Sequence, residues 1–246
     1  MKRIIISGAA DGIGKALARQ FIAEGHQVIG IDVDAQRAEQ TRAELGERLS
    51  FVIADLTQSE RLPAIAEQIG GGLDAVIHNA GISEVGYFQQ SDIDRQAQVI
   101  ALNLTAPLVL TREWLARGAL NEWASLVFMS SLSHYISYPG ASVYSATKSG
   151  LASYARSLAI TDPRLHVMTV YPGPTRTAHA RRYSPDNSRE NRRMSADALA
   201  EQIVSAMERR QRVLIPGTSN KLFALIGRWF PAITNYAMRK TLLEKF

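Results

Sequence analysis

The chain has no cysteine among its 246 residues, which excludes disulfides, thiolate nucleophiles and cysteine-ligated zinc or iron–sulfur centres. Its chemistry must come from oxygen and nitrogen groups, and no metal is expected. No apolar run approaches the roughly 18 to 20 residues that span a bilayer, and the N-terminal apolar stretch is too short for a signal peptide. A cytoplasmic protein is the expectation. Internal repeats, low-complexity tracts and Ser/Gly-rich linkers are also missing, so nothing marks a boundary and residues 1–246 read as a single domain. What is present suits a globular fold: 46% hydrophobic residues, 21% charged, and a mean hydropathy of −0.09.

Acids are scarce in one region. The formal charge is +5, yet residues 209–246 hold the cations Arg209, Arg210, Arg212, Lys221, Arg228, Arg239, Lys240 and Lys245 against Glu244 alone. That local +7 leaves −2 for the rest of the chain, so the body has no basic groove for nucleic acid and no nucleic-acid partner is expected. Within the tail, about 218–246, Leu222, Leu225, Ile226, Trp229 and Phe230 recur at helical spacing and form one apolar stripe, with Lys221 and Arg228 beside it. Two readings are open. The stripe packs on the domain or a second subunit, or it lies on an anionic or lipid surface that delivers an apolar substrate.

Six short runs, at 3–7, 27–31, 50–54, 74–78, 125–129 and 165–170, are apolar without a period of two and bounded by turn residues, as buried parallel strands are. Helical patterns lie between them at 13–24, 35–45, 61–69, 93–117 and 143–160. The alternation predicts an α/β fold, a doubly wound parallel sheet with helices on both faces and ligands at the carboxyl ends of the strands. A polar stretch at about 175–194, holding Arg176, Arg181, Arg182, Arg189, Arg192 and Arg193, follows a strand end, where a lid over a ligand belongs.

Ser7-Gly8-Ala9-Ala10-Asp11-Gly12-Ile13-Gly14 follows the first run directly. Glycines there let the backbone turn close to a pyrophosphate, which the positive helix end stabilises by roughly 0.3 to 1 kcal/mol. The G-x3-G-x-G spacing differs from the G-x-G-x-x-G of long-chain dehydrogenases, and a plain strand–helix turn is the alternative. Asp32 ends the second run, where a carboxylate accepts bonds from both hydroxyls of an adenosine ribose; capping the next helix is its competing role. Asp11, Asp32 and Asp34 would repel a 2′-phosphate, so NAD is expected in preference to NADP. Asp55-Leu56 and His78-Asn79-Ala80-Gly81 end the third and fourth runs and suit either a flat cofactor or turn chemistry. His78 reads as a packed strand residue rather than a base.

Tyr144 and Lys148 stand four apart on an expected helix and so share a face. A phenol is a poor base at neutral pH, but an ammonium about 4 Å away contributes roughly 4 kcal/mol at an effective dielectric of about 20, enough to lower its pKa by as much as about three units. Tyr144 becomes a candidate acid/base on that expectation. Tyr236 and Lys240 repeat the spacing, but they follow Pro231 in the basic tail and read as structural. Ser131 and Ser130 both end the fifth run, and the residues alone leave open which of them points at the tyrosine. Hydrolysis is disfavoured, because no G-x-S-x-G elbow occurs and the histidines lack a nearby acid in a motif context.

Together these residues resemble the short-chain dehydrogenase/reductase family in its shorter form. Gly8-x3-Gly12-Ile13-Gly14, Asp55, Asn79-Ala80-Gly81, Asn103, Ser131, Tyr144-x3-Lys148 and Pro172-Gly173-x3-Thr177 fall in its order and spacing, from residue 4 to about 177. The resemblance implies a Rossmann fold, a homo-oligomer, and an NAD(H)-dependent oxidoreductase that interconverts a secondary alcohol and a ketone. It implies that Tyr144 exchanges the proton, that Ser131 rather than Ser130 orients the substrate oxygen, and that Lys148 lowers the tyrosine pKa and holds the nicotinamide ribose. Asn103 would bind a water in a proton relay. Asp32 with Val33, and Asp55 with Leu56, would meet the adenosine half; Asn79, Ala80 and Gly81 would shape its floor. Pro172, Gly173, Thr175 and Thr177 would lie beside the carboxamide. Three positions depart from the family: Ser7 replaces the usual threonine, Asp11 stands where NADP-using members often carry a cation, and residues 212–217 replace the glycine-rich terminal signature. The rival reading is a catalytically silent dinucleotide sensor or a membrane-surface interaction protein on the same fold. Loss of the tyrosine or lysine would mark it, and both are present.

Overall fold

Ile4, Ile5 and Ile6 are all buried, so the first strand has no solvent face and requires cover on both sides. The computed structural model, which describes residues 1–184, 186–188 and 190–242, supplies that cover. Arg189 of the expected lid and Glu244 and Lys245 of the tail lie outside the described residues.

The chain alternates β1 (Arg3–Ser7), α1 (Gly12–Ala23), β2 (Gln27–Asp32), α2 (Ala35–Leu45), β3 (Leu49–Ile53), α3 (Leu62–Ile69) and β4 (Leu73–His78). Next come α4 (Ile93–Ile100), a π-helical turn (Ala101–Thr105), α5 (Ala106–Ala116), β5 (Leu120–Met129), α6 (Ser142–Thr161) and β6 (His166–Val170). The remainder is β7 (Thr175–Arg176), α7 (Ala178–Tyr183), β8 (Met194–Ser195), α8 (Ala196–Glu208), β9 (Val213–Leu214), α9 (Thr218–Trp229) and α10 (Pro231–Leu242). Seven strands form one sheet in the order β3-β2-β1-β4-β5-β6-β9, with every pairing parallel. This is the doubly wound sheet expected from the alternation. The expected strand bounds hold to within a residue, except that β5 begins five residues early, at Leu120. Helix α8 and strand β9 go beyond the expectation.

Two cores sandwich the sheet. Leu17, Phe21, Leu199 and Ile203 of α1 and α8 cover one face; Leu62, Leu110, Trp114 and Leu151 of α3, α5 and α6 cover the other. Strand order reverses between β1 and β4, which opens the crevice where such folds hold ligands.

One expectation is corrected here. The helix running from Ile93 to Ala116 is continuous through the π turn, with a mean hydropathy of 1.2 over its most apolar window, so by length and composition it could cross a membrane. Packing decides otherwise: Val99, Leu110 and Trp114 are buried in the domain. The tail differs from one of its readings as well. Leu222, Leu225, Trp229 and Phe230 face solvent and Ile226 is half-buried, so the stripe does not pack on its own domain. Small residues explain this. Ala224 and Gly227 form the inner face of α9, and a Cβ on Gly227 would come within 2.3 Å of the Tyr135 carbonyl.

Candidate active site

The site begins at the turn after β1. Gly8 and Gly12 have φ of +68° and +54°, where a side chain is strained, and a Cβ on Gly14 would fall 1.9 Å from the Gly8 carbonyl. The turn therefore brings bare backbone to the N-terminus of α1, where the first amide groups have no intrahelical partner. Side chains around it serve as struts. Ser7 Oγ accepts from the amides of Asn79 and Ala80 at 3.0 Å, and Asn79 Nδ2 donates to the carbonyls of Ser7 and Gly8 at 3.0 and 3.2 Å. Asn79 and Ala80 thus clamp β1 to β4 beneath the turn.

The adenosine corner holds more than the sequence suggested. Asp32 accepts from the amides of Ala10 at 3.0 Å and Asp34 at 3.2 Å, so its carboxylate is aimed by the turn it faces and does not cap α2. That cap is Asp34, while Asp11 caps α1. Arg37, which the sequence reading did not weigh, pairs with Asp11 at 3.2 Å and approaches Asp34 at 3.6 Å. Two of the three acids counted against a 2′-phosphate therefore have a cation partner, while Asp32 is met by backbone amides. Val33 is exposed beside it. Asp55 Oδ1 accepts from the Thr57 amide and hydroxyl, a turn role, and Leu56 is buried.

Around the reacting groups the structure brings together side chains from three parts of the chain: the end of β5, the π turn and α6. Ser131, two residues past β5, accepts from the Ser133 amide at 3.1 Å and stands near enough to the Tyr144 phenol of α6 to lower its pKa. Ser130 instead donates to the Lys148 carbonyl at 2.9 Å and ties β5 to α6. Lys148 is only 4% exposed, and its Nζ donates to the Met129 carbonyl at 2.8 Å. Asn103 sits in the π turn, fully buried; its Oδ1 accepts from the Ile82 amide at 2.9 Å and its Nδ2 donates to the Ile82 carbonyl at 2.8 Å. Such turns concentrate at functional sites because they rotate one side chain out of helical register. Asn103 and Lys148 converge at Gly81: a Cβ there would lie 3.2 Å from both Asn103 Oδ1 and Lys148 Nζ.

Electrostatics differ from the expectation at this pair. Lys148 Nζ lies 5.8 Å from the Tyr144 ring centroid and spends a proton on Met129. Burial raises the Tyr144 pKa above the usual phenol value, opposed by the Ser131 hydroxyl, so the predicted lowering is absent. The same burial lowers the Lys148 pKa to about 8. Removal of water penalises both charged forms, and burial is the leading cause of each shift. His78 is a core residue bonded to Thr111 at 2.9 Å, with burial lowering its pKa to about 3.

The segment after β6 closes the crevice. Leu132 donates its amide to the Pro172 carbonyl at 2.8 Å, Gly173 lies against Asn220 of α9, and Thr175 bonds the Gly173 carbonyl at 3.1 Å. Thr177 caps α7, and its methyl would be 3.4 Å from a Cβ on Gly12. Tyr138 bonds the Tyr183 carbonyl at 3.3 Å, and Arg95, which sequence reasoning missed, bonds the Tyr183 hydroxyl at 2.9 Å. No local motif marks either residue, since the contacts join segments far apart in the chain.

A bare-backbone turn at a helix N-terminus, a carboxylate aimed beside it and a side-chain-free floor at Gly81 fit a dinucleotide. Comparison with known proteins agrees. The family model for short chain dehydrogenase matches residues 2–188. Nodulation protein G of Rhizobium sp. (strain N33) is 31% identical over 179 residues, 70% of this chain and 72% of that protein. D-beta-hydroxybutyrate dehydrogenase of Cupriavidus necator is 28% identical over 65% of this chain and 64% of its own length. Among solved structures, a short-chain dehydrogenase from Sphingobium yanoikuyae in complex with NADPH matches with a TM-score of 0.79 at 26% identity, over 92% of this chain and 93% of that one. A Burkholderia phymatum short chain dehydrogenase/reductase in complex with NAD shares the fold, with a TM-score of 0.81 at 20% identity over 92% of both chains. The chain belongs to the short-chain dehydrogenase family of nicotinamide-dependent oxidoreductases.

Proposed function

We propose that the protein interconverts a secondary alcohol and a ketone with NAD(H), and that Tyr144 exchanges the proton at the substrate oxygen. The observation that carries this reading is the convergence of the Ser131 hydroxyl on the Tyr144 phenol, beside the Lys148 and Asn103 groups that meet at Gly81. A bound nicotinamide supplies the hydride. Tyr144, a phenol whose pKa burial raises further above neutrality, is ready to donate to a carbonyl oxygen, and Ser131 donates a second hydrogen bond to the same atom. Lys148, anchored on the Met129 carbonyl, is positioned over the ring and supplies donors toward Gly81. Asn103 holds the Ile82 backbone and, through it, the floor of the crevice. The segment 175–194 acts as the lid, supported by the approach of Thr177 to Gly12.

Preference for NAD(H) rests on Asp32. Its carboxylate is oriented by two backbone amides, so a 2′-phosphate would meet an anion at that edge. Fluorescence titration with NADH and NADPH tests the preference, with Asp32→Ala expected to narrow the gap. Tighter NADPH binding by the unaltered chain would overturn it. A screen of secondary alcohols and ketones with both nucleotides tests the reaction, and no turnover on any of them despite tight NADH binding would favour a sensor.

A further inference from the structure

The outer face of α9 and α10 presents large apolar side chains to solvent. Successive residues of a helix turn by 100°, so Leu222, Leu225 and Trp229 lie opposite Ala224 and Gly227. The inner face is seated on the Tyr135 carbonyl and the Ile136 side chain too closely to rotate, which holds the large apolar residues outward. Leu225 is 56% exposed, Trp229 68%, and Ile233 of α10 61%. Exposed apolar patches of this kind mark a contact surface.

Charge selects the occupant. Residues 209–242 contain seven cations and no acid, with Lys221, Arg228 and Arg239 exposed on the hairpin itself. Two copies joined face to face about a two-fold axis would set these cations against each other. A groove of about 650 Å³ between α6 and α9 adds a second feature: Arg156, Arg212 and Arg228 line it with Ala155, Ala159 and Val167 and the rings of Tyr135 and Tyr171, and among the described residues no carboxylate lines it. Guanidinium groups beside apolar side chains fit a phosphate joined to an acyl chain. We infer that the α9–α10 hairpin docks on an anionic phospholipid surface, with Leu225, Trp229 and Ile233 in the headgroup–acyl boundary and one lipid phosphate in the three-arginine groove. The inference stands apart from the catalytic reading, because it uses none of the reacting groups.

Co-sedimentation of the full chain with phosphatidylcholine vesicles, with and without phosphatidylglycerol, tests it. Binding is expected only with phosphatidylglycerol, weakening with salt, and weakening roughly fivefold for each of Lys221→Gln and Arg228→Gln. Trp229→Ser should also weaken it, and unchanged melting temperatures will show that these surface variants fold. Arg156→Gln, which lies off the hairpin, should weaken vesicle binding as well. Equal sedimentation with neutral vesicles, or none with either, would overturn docking. A lipid-free dimer that Trp229→Ser dissociates would assign the face to a second copy. Stabilisation by inorganic phosphate that depends on Arg156, with vesicle binding insensitive to Arg156→Gln, would give the groove to a soluble anion and remove the lipid from it.

Discussion

Two tyrosine–lysine pairs with one spacing stand in this chain, and they differ in everything but that spacing. Tyr144 and Lys148 lie on α6 against the end of β5, with Lys148 4% exposed and the phenol close to Ser131. Tyr236 and Lys240 lie on α10, with Tyr236 70% exposed and Lys240 in solvent. Helical geometry projects both pairs from one face of their helix. Depth separates them: in the crevice burial shifts both ionisations, while the α10 pair stands in water. Spacing therefore supplies a geometry, and the surrounding sheet supplies the chemistry.

The comparison can be broken at several points. The largest expected effect is that of Tyr144→Phe, which should lower turnover by about 10² to 10⁴-fold with NADH binding retained, while Tyr236→Phe leaves it unchanged. Similar losses from the two substitutions would end the distinction. Ser131→Ala should cost roughly 10² to 10³-fold in kcat, as loss of one donor to the reacting oxygen. Its neighbour sharpens the point: Ser130→Ala removes the bond to the Lys148 carbonyl and should appear in denaturant titrations as a loss of about 1 kcal/mol.

On stability, lysine substitution has a smaller effect, and one with a sign. Native Lys148 releases its proton near pH 8, whereas the unfolded chain keeps it to about 10.5, so native stability rises as pH climbs through that window. Below it, the buried ammonium costs up to about 3 kcal/mol. Lys148→Met should therefore raise the melting temperature at pH 7, and the gain should shrink toward pH 10. Lys240→Met, on an exposed group, should give a flat and near-zero difference across the same series. A flat profile for Lys148→Met would mean that its ammonium is solvated in the crevice.

Much of the framework was legible because short-range physics determines it. The six expected strands are runs of β-branched residues with no polar face, and the glycine turn is marked by three residues whose lack of a Cβ is itself the requirement. Strand β9 was not legible, since two residues carry no pattern and pairing with β6 alone defines them. The choice between Ser130 and Ser131 depended on resemblance, because adjacent strand residues look alike until the opposite faces of the sheet are known. Arg37 was missed for a related reason: its partner Asp11 is 26 residues away, on another turn.

By itself the sequence determined the doubly wound sheet, the phosphate-sized turn and the family, all of which follow from local pattern and the order of motifs. Tertiary structure alone decided which tyrosine is enclosed, that burial governs the ionisation of both Tyr144 and Lys148, and that small residues on α9 turn a greasy stripe toward solvent. Each of these is set by how much water remains around a group. Hydration is a property of the assembled neighbours rather than of the chain segment that carries the group.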